Sequence, residues 1–208
     1  MSPNENSASR MRTWQEEAEM LLSLLDCFAM ERGAVYASSE FFTGGRYYNL
    51  CLEHGVRTPE GLEKKLGAEF RDKLLAKNKE QGMNFARRLH EQGHKIVLTP
   101  VALMADPLNL GRNWSGSEYM AFWSLVIDKK CHTVYLNEGW QFSESCVFDY
   151  VAGLKVGKKL LDHAGNSLVF AAARKMVSSA IGHLEDYGFE VPKLHEALTV
   201  LKSFSSLG

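Results

Sequence analysis

Long apolar runs are missing from this 208-residue chain: none approaches the ~20 residues that a membrane-spanning helix requires, so no membrane role is expected. Charge of one sign is missing as well. Lys plus Arg number 24 against 25 Asp plus Glu, which excludes a broad electrostatic pull toward nucleic-acid polymers or anionic membranes and leaves room only for a local anion pocket. The four cysteines, Cys27, Cys51, Cys131 and Cys146, contain no CxxC pair. With no basic-then-apolar leader, the expectation is a cytoplasmic protein with reduced thiols. No internal repeat and no GxxxxGK[ST] loop occur, and Gly44-Gly45 lacks the third glycine and the spacing of a dinucleotide fingerprint. Neither generic NAD nor ATP binding is supported, and no cofactor is expected.

What is present is enough apolar material, 45% of residues, to bury one sizeable core. Residues 1–10 are polar and expected to be a disordered tail, with 11–208 forming a single α/β domain. Ala18, Leu21, Leu22, Leu25 and Phe28 recur at helical spacing within 14–30, so that segment is predicted as an amphipathic helix. AVYASSEFF, residues 34–42, is predicted as a buried strand running into a loop, TGGRYYN. Residues 52–79 are charged, with Thr58 as a helix cap before Pro59, and are predicted as a helical insertion or lid. A helix over 84–92 then leads through Gly93 into HKIVLTPV, a strand interrupted at Pro100.

Ser115 or Ser117 starts the next predicted helix, and TVYL, 133–136, is a short buried strand. GWQFSES is the loop after it, and 147–156 the following helix. From about residue 167 the chain reads as two more helices split by GFEVP. Strands alternating with helices predict a Rossmann-like parallel sheet flanked by helices, with additional N- and C-terminal helices, the last spanning about 167–205. Ligands in such folds sit at the carboxyl ends of the strands.

His90-Glu91-Gln92-Gly93-His94 spells the zinc-protease pattern, in which two histidines one turn apart on a helix bind metal. Its context argues against that chemistry, because Gly93 terminates the helix and His94 begins the β-rich run. No metal ligand set is therefore assigned. Asp149 is more informative: it follows a predicted strand and loop, at the edge of the sheet where ligands bind. It reads either as an ordinary first-turn acid favoured by the helix dipole or as a ligand-facing carboxylate.

Three segments carry a family likeness. VYASSEFFTGGRYYN, NFARRLHEQGHKIVLTPV and EYMAFWSLVIDKKCHTVYLNEGWQFSESCVFDYVAGLKVG, together about a third of the chain, resemble the nucleoside 2-deoxyribosyltransferase-like superfamily, which includes nucleotide N-hydrolases. The resemblance implies N-glycosidic bond chemistry, with Asp149 at the position of the family's attacking glutamate. It also implies that Ser143 stands where members acting on nucleoside monophosphates place a serine toward the 5′-phosphate. Gly44, Gly45 and Arg46 could add backbone amides and a guanidinium to an anion site. Tyr47 and Trp140, placed in loops, are candidates to hold a base. Trp114, Tyr119 and Trp123 offer further aromatic surface that core packing explains equally well.

This chain departs from the family at several of these positions. Asp149 is one methylene shorter than the family glutamate, and Ser145 and Cys146 replace small glycine or alanine residues. Glu138 and Glu144 are substitute acids ranked below Asp149. The expected function is an N-glycosidic hydrolase or a 2-deoxyribosyltransferase-like enzyme acting on a small-molecule nucleotide or nucleoside, working as a homodimer or higher homo-oligomer. The alternatives are a catalytically silent nucleotide-binding or sensing module on the same fold, or an interaction protein.

Overall fold

A computed structural model describes residues 13–29, 33–103 and 114–204. Its order is α1 (Trp14–Ala29), β1 (Ala34–Ser38), α2 (Gly45–His54), α3 (Pro59–Leu66), α4 (Lys77–Glu91), β2 (Val97–Leu98), α5 (Pro100–Leu103), α6 (Gly116–Lys130), β3 (Cys131–Leu136), α7 (Glu144–Lys155), β4 (Lys159–Asp162), α8 (Phe170–Asp186) and α9 (Pro192–Phe204). A π-helical stretch, Arg71–Ala76, leads into α4, and one 3-10 turn, Trp140–Phe142, leads toward α7. The predicted tail, 1–10, lies outside the described residues.

The four strands pair in parallel in the order β2-β1-β3-β4, a Rossmann-like α/β sheet. Burial of β1 on both faces explains its unbroken apolar run. Ala34 and Tyr36 join the core that contains Phe122, Val126, Val147 and Tyr150 of α6 and α7, while Val35 and Ala37 meet Phe85 and Leu89 of α4. The helices thus divide between the two faces of the sheet. The additional terminal helices are present too: Ala18, Leu21 and Leu22 of α1 are buried in the larger core, beside α6, and α9 packs on α7 and α8.

Local signals set the helix ends. Ser115 starts α6 with a reciprocal cap: its hydroxyl accepts from the Glu118 N–H at 3.3 Å, and the Glu118 carboxylate accepts from the Ser115 N–H at 2.7 Å. Thr58 caps α3, accepting from Gly61 N–H at 3.1 Å. Gly153 lets α7 lie close on the sheet, since a Cβ there would stand 2.7 Å from Leu160 Cδ2 and 3.1 Å from Val134 Cγ2.

Several boundaries differ from the sequence expectation. The predicted strand over 94–101 is only Val97–Leu98, because Pro100 opens α5. The predicted insertion, 52–79, divides among the end of α2, all of α3, the π-helical stretch and the start of α4, which begins seven residues earlier than expected. β4 was not foreseen. The helix expected from 147 begins at Glu144, because the 3-10 turn delivers the chain directly into it. Among the described residues, no helix is long and apolar enough to cross a membrane.

Candidate active site

The chain leaves β1 toward β2 on one side and later returns to β3 on the other, so the carboxyl ends of β1 and β3 form the topological switch point of the sheet. Ser38 ends β1 and Leu136 ends β3, with the Asn137 N–H donating to the Ser38 carbonyl at 3.0 Å. Tyr36 and Ser38, two residues apart on one strand, point to the same face. That face receives α7 and its Asp149.

Asp149 lies in the second turn of α7, not the first, because the helix starts at Glu144. The helix-dipole explanation weakens accordingly, since the favourable interaction of an acid with unsatisfied amides fades beyond the first turn. The side chain is buried, at 7% exposure, with no ion-pair partner among the described residues. Its Oδ2 accepts a hydrogen bond from the Ser38 hydroxyl at 2.7 Å. Burial pushes its pKa up to about 7, and the Ser38 and Tyr36 hydroxyls only partly oppose that rise. A carboxyl so placed is divided between acid and carboxylate near neutral pH.

Tyr36 is fully buried beside this carboxyl, and burial together with Asp149's charge keeps its phenol protonated. Its hydroxyl faces Asp149 without completing a hydrogen bond of ordinary geometry. The Trp123 ring meets Tyr36 edge-on at 5.7 Å and Tyr119 at 6.1 Å, and the Trp123 indole N–H is likewise buried without a partner among the described residues. Tyr119 donates to the Pro100 carbonyl at 3.2 Å; burial, then the Trp123 contact opposing it, then Asp149's charge, leave its pKa at about 12. A buried carboxyl, the Tyr36 phenol beside it and the Trp123–Tyr119 pair thus share one region. Buried polar groups are normally paired, so this concentration is a marker of ligand chemistry.

Cys146, one turn before Asp149, is also fully buried, and its thiol is pushed up to about 12, chiefly by burial and then by Asp149's charge. The neighbouring hydroxyls of Ser38 and Ser143 oppose that rise. Ser143 and Ser145 share a hydrogen bond at 3.2 Å, and Ser143 is fully buried. Ser38 is thus bonded to Asp149 and Ser143 to Ser145, the two pairs neighbouring the Cys146 thiol.

The glycine segment is arranged differently from the loop expected. Gly45, Arg46 and Tyr47 belong to α2, and the Glu40 carboxylate packs against Gly44 at the start of that helix. Only glycine fits at 44, because a Cβ would fall 1.7 Å from Glu40 Oε2 and φ is +147°. Glu40 is itself buried, and burial raises its pKa against the pull of the Gly45 and Arg46 amides and of the Arg46 charge. Arg46 Nε donates to Asn78 Oδ1 at 2.9 Å and its terminal nitrogen to Gln81 Oε1 at 3.5 Å. Asn78 in turn donates to the Phe41 carbonyl at 2.7 Å, tying the loop to α4.

Both loop aromatics are buried. Tyr47 is buried against Tyr48, and Trp140 is buried and stacked on Tyr150 at 5.2 Å. Trp114 donates to Glu17 at 2.8 Å and braces α1. Glu138 is exposed, and Glu144 pairs with Lys193 at 3.4 Å, so neither approaches Asp149's degree of burial. α4 ends at Glu91, and the His90 Nδ1–H donates to the His94 carbonyl at 3.0 Å while His94 Nε2 shares a 2.9 Å hydrogen bond with the Tyr135 hydroxyl. The two imidazoles are not presented on one helical face.

Sequence reading missed Tyr36, Ser38, Glu40 and Asn78. For Tyr36 and Ser38 a signal existed: alternation along a strand whose end meets the ligand edge. Comparison with protein-family models, with curated proteins and with solved structures found no match.

Proposed function

We propose that this protein cleaves the N-glycosidic bond of a nucleoside or nucleotide, as a hydrolase or a 2-deoxyribosyltransferase-like enzyme, with Asp149 as the attacking carboxylate. The observation that supports it most is Asp149 itself, buried at the switch point, without an ion pair among the described residues and oriented by Ser38. A carboxylate stripped of water and counter-ion is a stronger nucleophile than a solvated one, and its raised pKa leaves a substantial ionised fraction at neutral pH.

In the proposed step, an Asp149 oxygen bonds to the sugar's anomeric carbon as the carbon–nitrogen bond breaks. The bonding pair leaves with the base, whose nitrogen takes up a proton. Water then releases the sugar, or a second base takes it in transfer. The Ser38 hydroxyl holds one carboxyl oxygen, leaving the other free to attack. No cofactor enters this scheme.

One feature favours a second reading, a silent binding module on the same fold. Asp149 is short for an attacking residue, and reach matters because reacting atoms must stand roughly 3–3.5 Å apart. Incubation with a panel of ribo- and 2′-deoxynucleosides and their 5′-monophosphates, with free base separated by chromatography, decides between them. Base release from at least one compound supports the enzyme; ligand-induced thermal stabilisation without release supports the silent module.

We also propose a homodimer or larger homo-oligomer. The resemblance implies a neighbouring subunit near each sugar pocket, and Phe42, 56% exposed on the loop after β1, is an apolar group available for such a contact. Light scattering at micromolar concentration should give a mass of at least two chains. A strict monomer that still releases base would contradict the assembly.

A further inference from the structure

Resting on the N-glycosidic reading, we infer that Glu40 is a specificity-determining residue that commits the site to an uncharged nucleoside and rejects its 5′-monophosphate. Several of the donors that sequence reasoning offered to a phosphate already have partners inside the protein. The Glu40 carboxylate packs over Gly44 at the start of α2, where a Cβ would fall 1.7 Å from its Oε2, next to the amides of Gly45 and Arg46. The Arg46 guanidinium is held by Asn78 and Gln81, and the Glu144 N–H, first in α7, donates to Thr43 Oγ1 at 3.2 Å. Ser143 is fully buried with its hydroxyl bonded to Ser145.

Charge argues the same way. Glu40 follows two residues after Ser38, the partner of Asp149, and both carboxylates act on the one thiol of Cys146. The region carries two buried acids, Asp149 and Glu40, with Arg46 the cation acting on Glu40, while Glu144 and Lys193 pair with each other. A phosphate dianion brought here would meet repulsion in a poorly screened site and would have to displace Glu40 from the helix start. A sugar hydroxyl meets neither obstacle. A carboxylate offers about four lone-pair positions, and the two amides leave the others to accept from a hydroxyl.

The test uses full-length Asp149→Asn protein, which should hold ligand without turning it over, with and without Glu40→Gln. Dissociation constants for each 2′-deoxynucleoside and its 5′-monophosphate are measured by calorimetry. The nucleoside that binds best should bind at least ten times more tightly than its monophosphate. Glu40→Gln, which keeps the shape and an acceptor oxygen but removes the charge, should shrink that ratio at least threefold. A monophosphate that binds equally or more tightly overturns the inference. So does an unchanged ratio in Glu40→Gln protein whose circular dichroism and melting match the parent; if that variant does not fold, the parent ratio decides alone. Binding of neither ligand class sinks the nucleoside reading together with this inference. Selective nucleoside binding, with no base release by the unmutated protein, sinks the catalytic reading and leaves the role of Glu40 standing.

Discussion

Asp149→Asn melts at a higher temperature than the unmutated protein at pH 8, and the difference disappears near pH 4. The folded protein holds this carboxyl's pKa at about 7, against an ordinary value of 3.8, chiefly because burial penalises the charge. Between those values the folded state keeps a proton that the unfolded state has released, so rising pH drains stability across that window and no further above it. At 1.36 kcal/mol per pKa unit, the cost of ionised Asp149 at pH 8 is on the order of 4 kcal/mol, an upper figure that corresponds to roughly ten degrees for a chain of this size. The neutral amide escapes that cost. Calorimetric melts at pH 4, 6 and 8 check it: the gain should grow from pH 4 to pH 7 and then level off. A difference independent of pH would show that Asp149 is not a desolvated, titrating group.

Base release should rise with pH through about 7, and Ser38→Ala should move that midpoint upward. In the proposed reaction only the ionised carboxylate attacks, so activity should follow Asp149's ionisation. The Ser38 hydroxyl donates to Oδ2 at 2.7 Å and favours the charged form. Its removal makes ionisation harder, by on the order of one pKa unit, since hydrogen bonds to the charged form are among the main causes of such shifts. The rate against pH for the best panel substrate, measured in both proteins, reads the effect. A midpoint near the ordinary carboxyl value, or a downward move in Ser38→Ala, would remove Asp149 from the rate-controlling step.

Much of the fold was legible because its signals are periodic and local. The apolar run of β1, the Ser115 cap and the helical spacing of α1 each follow from a few neighbouring residues. β4 escaped because Lys159–Asp162 is only four residues long, with Leu160 and Leu161 its buried centre, too brief for a period to register. Asp149 could be placed at the ligand edge from its position after a strand, but its second-turn place required knowing that Trp140–Phe142 coils straight into α7. Glu40 was beyond reach, since its role depends on a loop that folds back onto the start of α2 and on glycine at 44 making room. Tyr47 and Trp140 differ from the sequence reading in exposure: an aromatic beside glycine suggests an open loop, whereas both side chains are buried.

The most direct measurement is free-base release by Asp149→Asn beside the unmutated protein, on the best panel substrate at pH 8, with ligand-induced thermal stabilisation followed in both. If Asp149 forms the bond to the sugar, the amide retains shape and ligand-induced stabilisation while release falls by about a thousandfold or more, the scale on which loss of a nucleophile acts. Release within tenfold of the unmutated protein would contradict the assignment of Asp149 as the nucleophile.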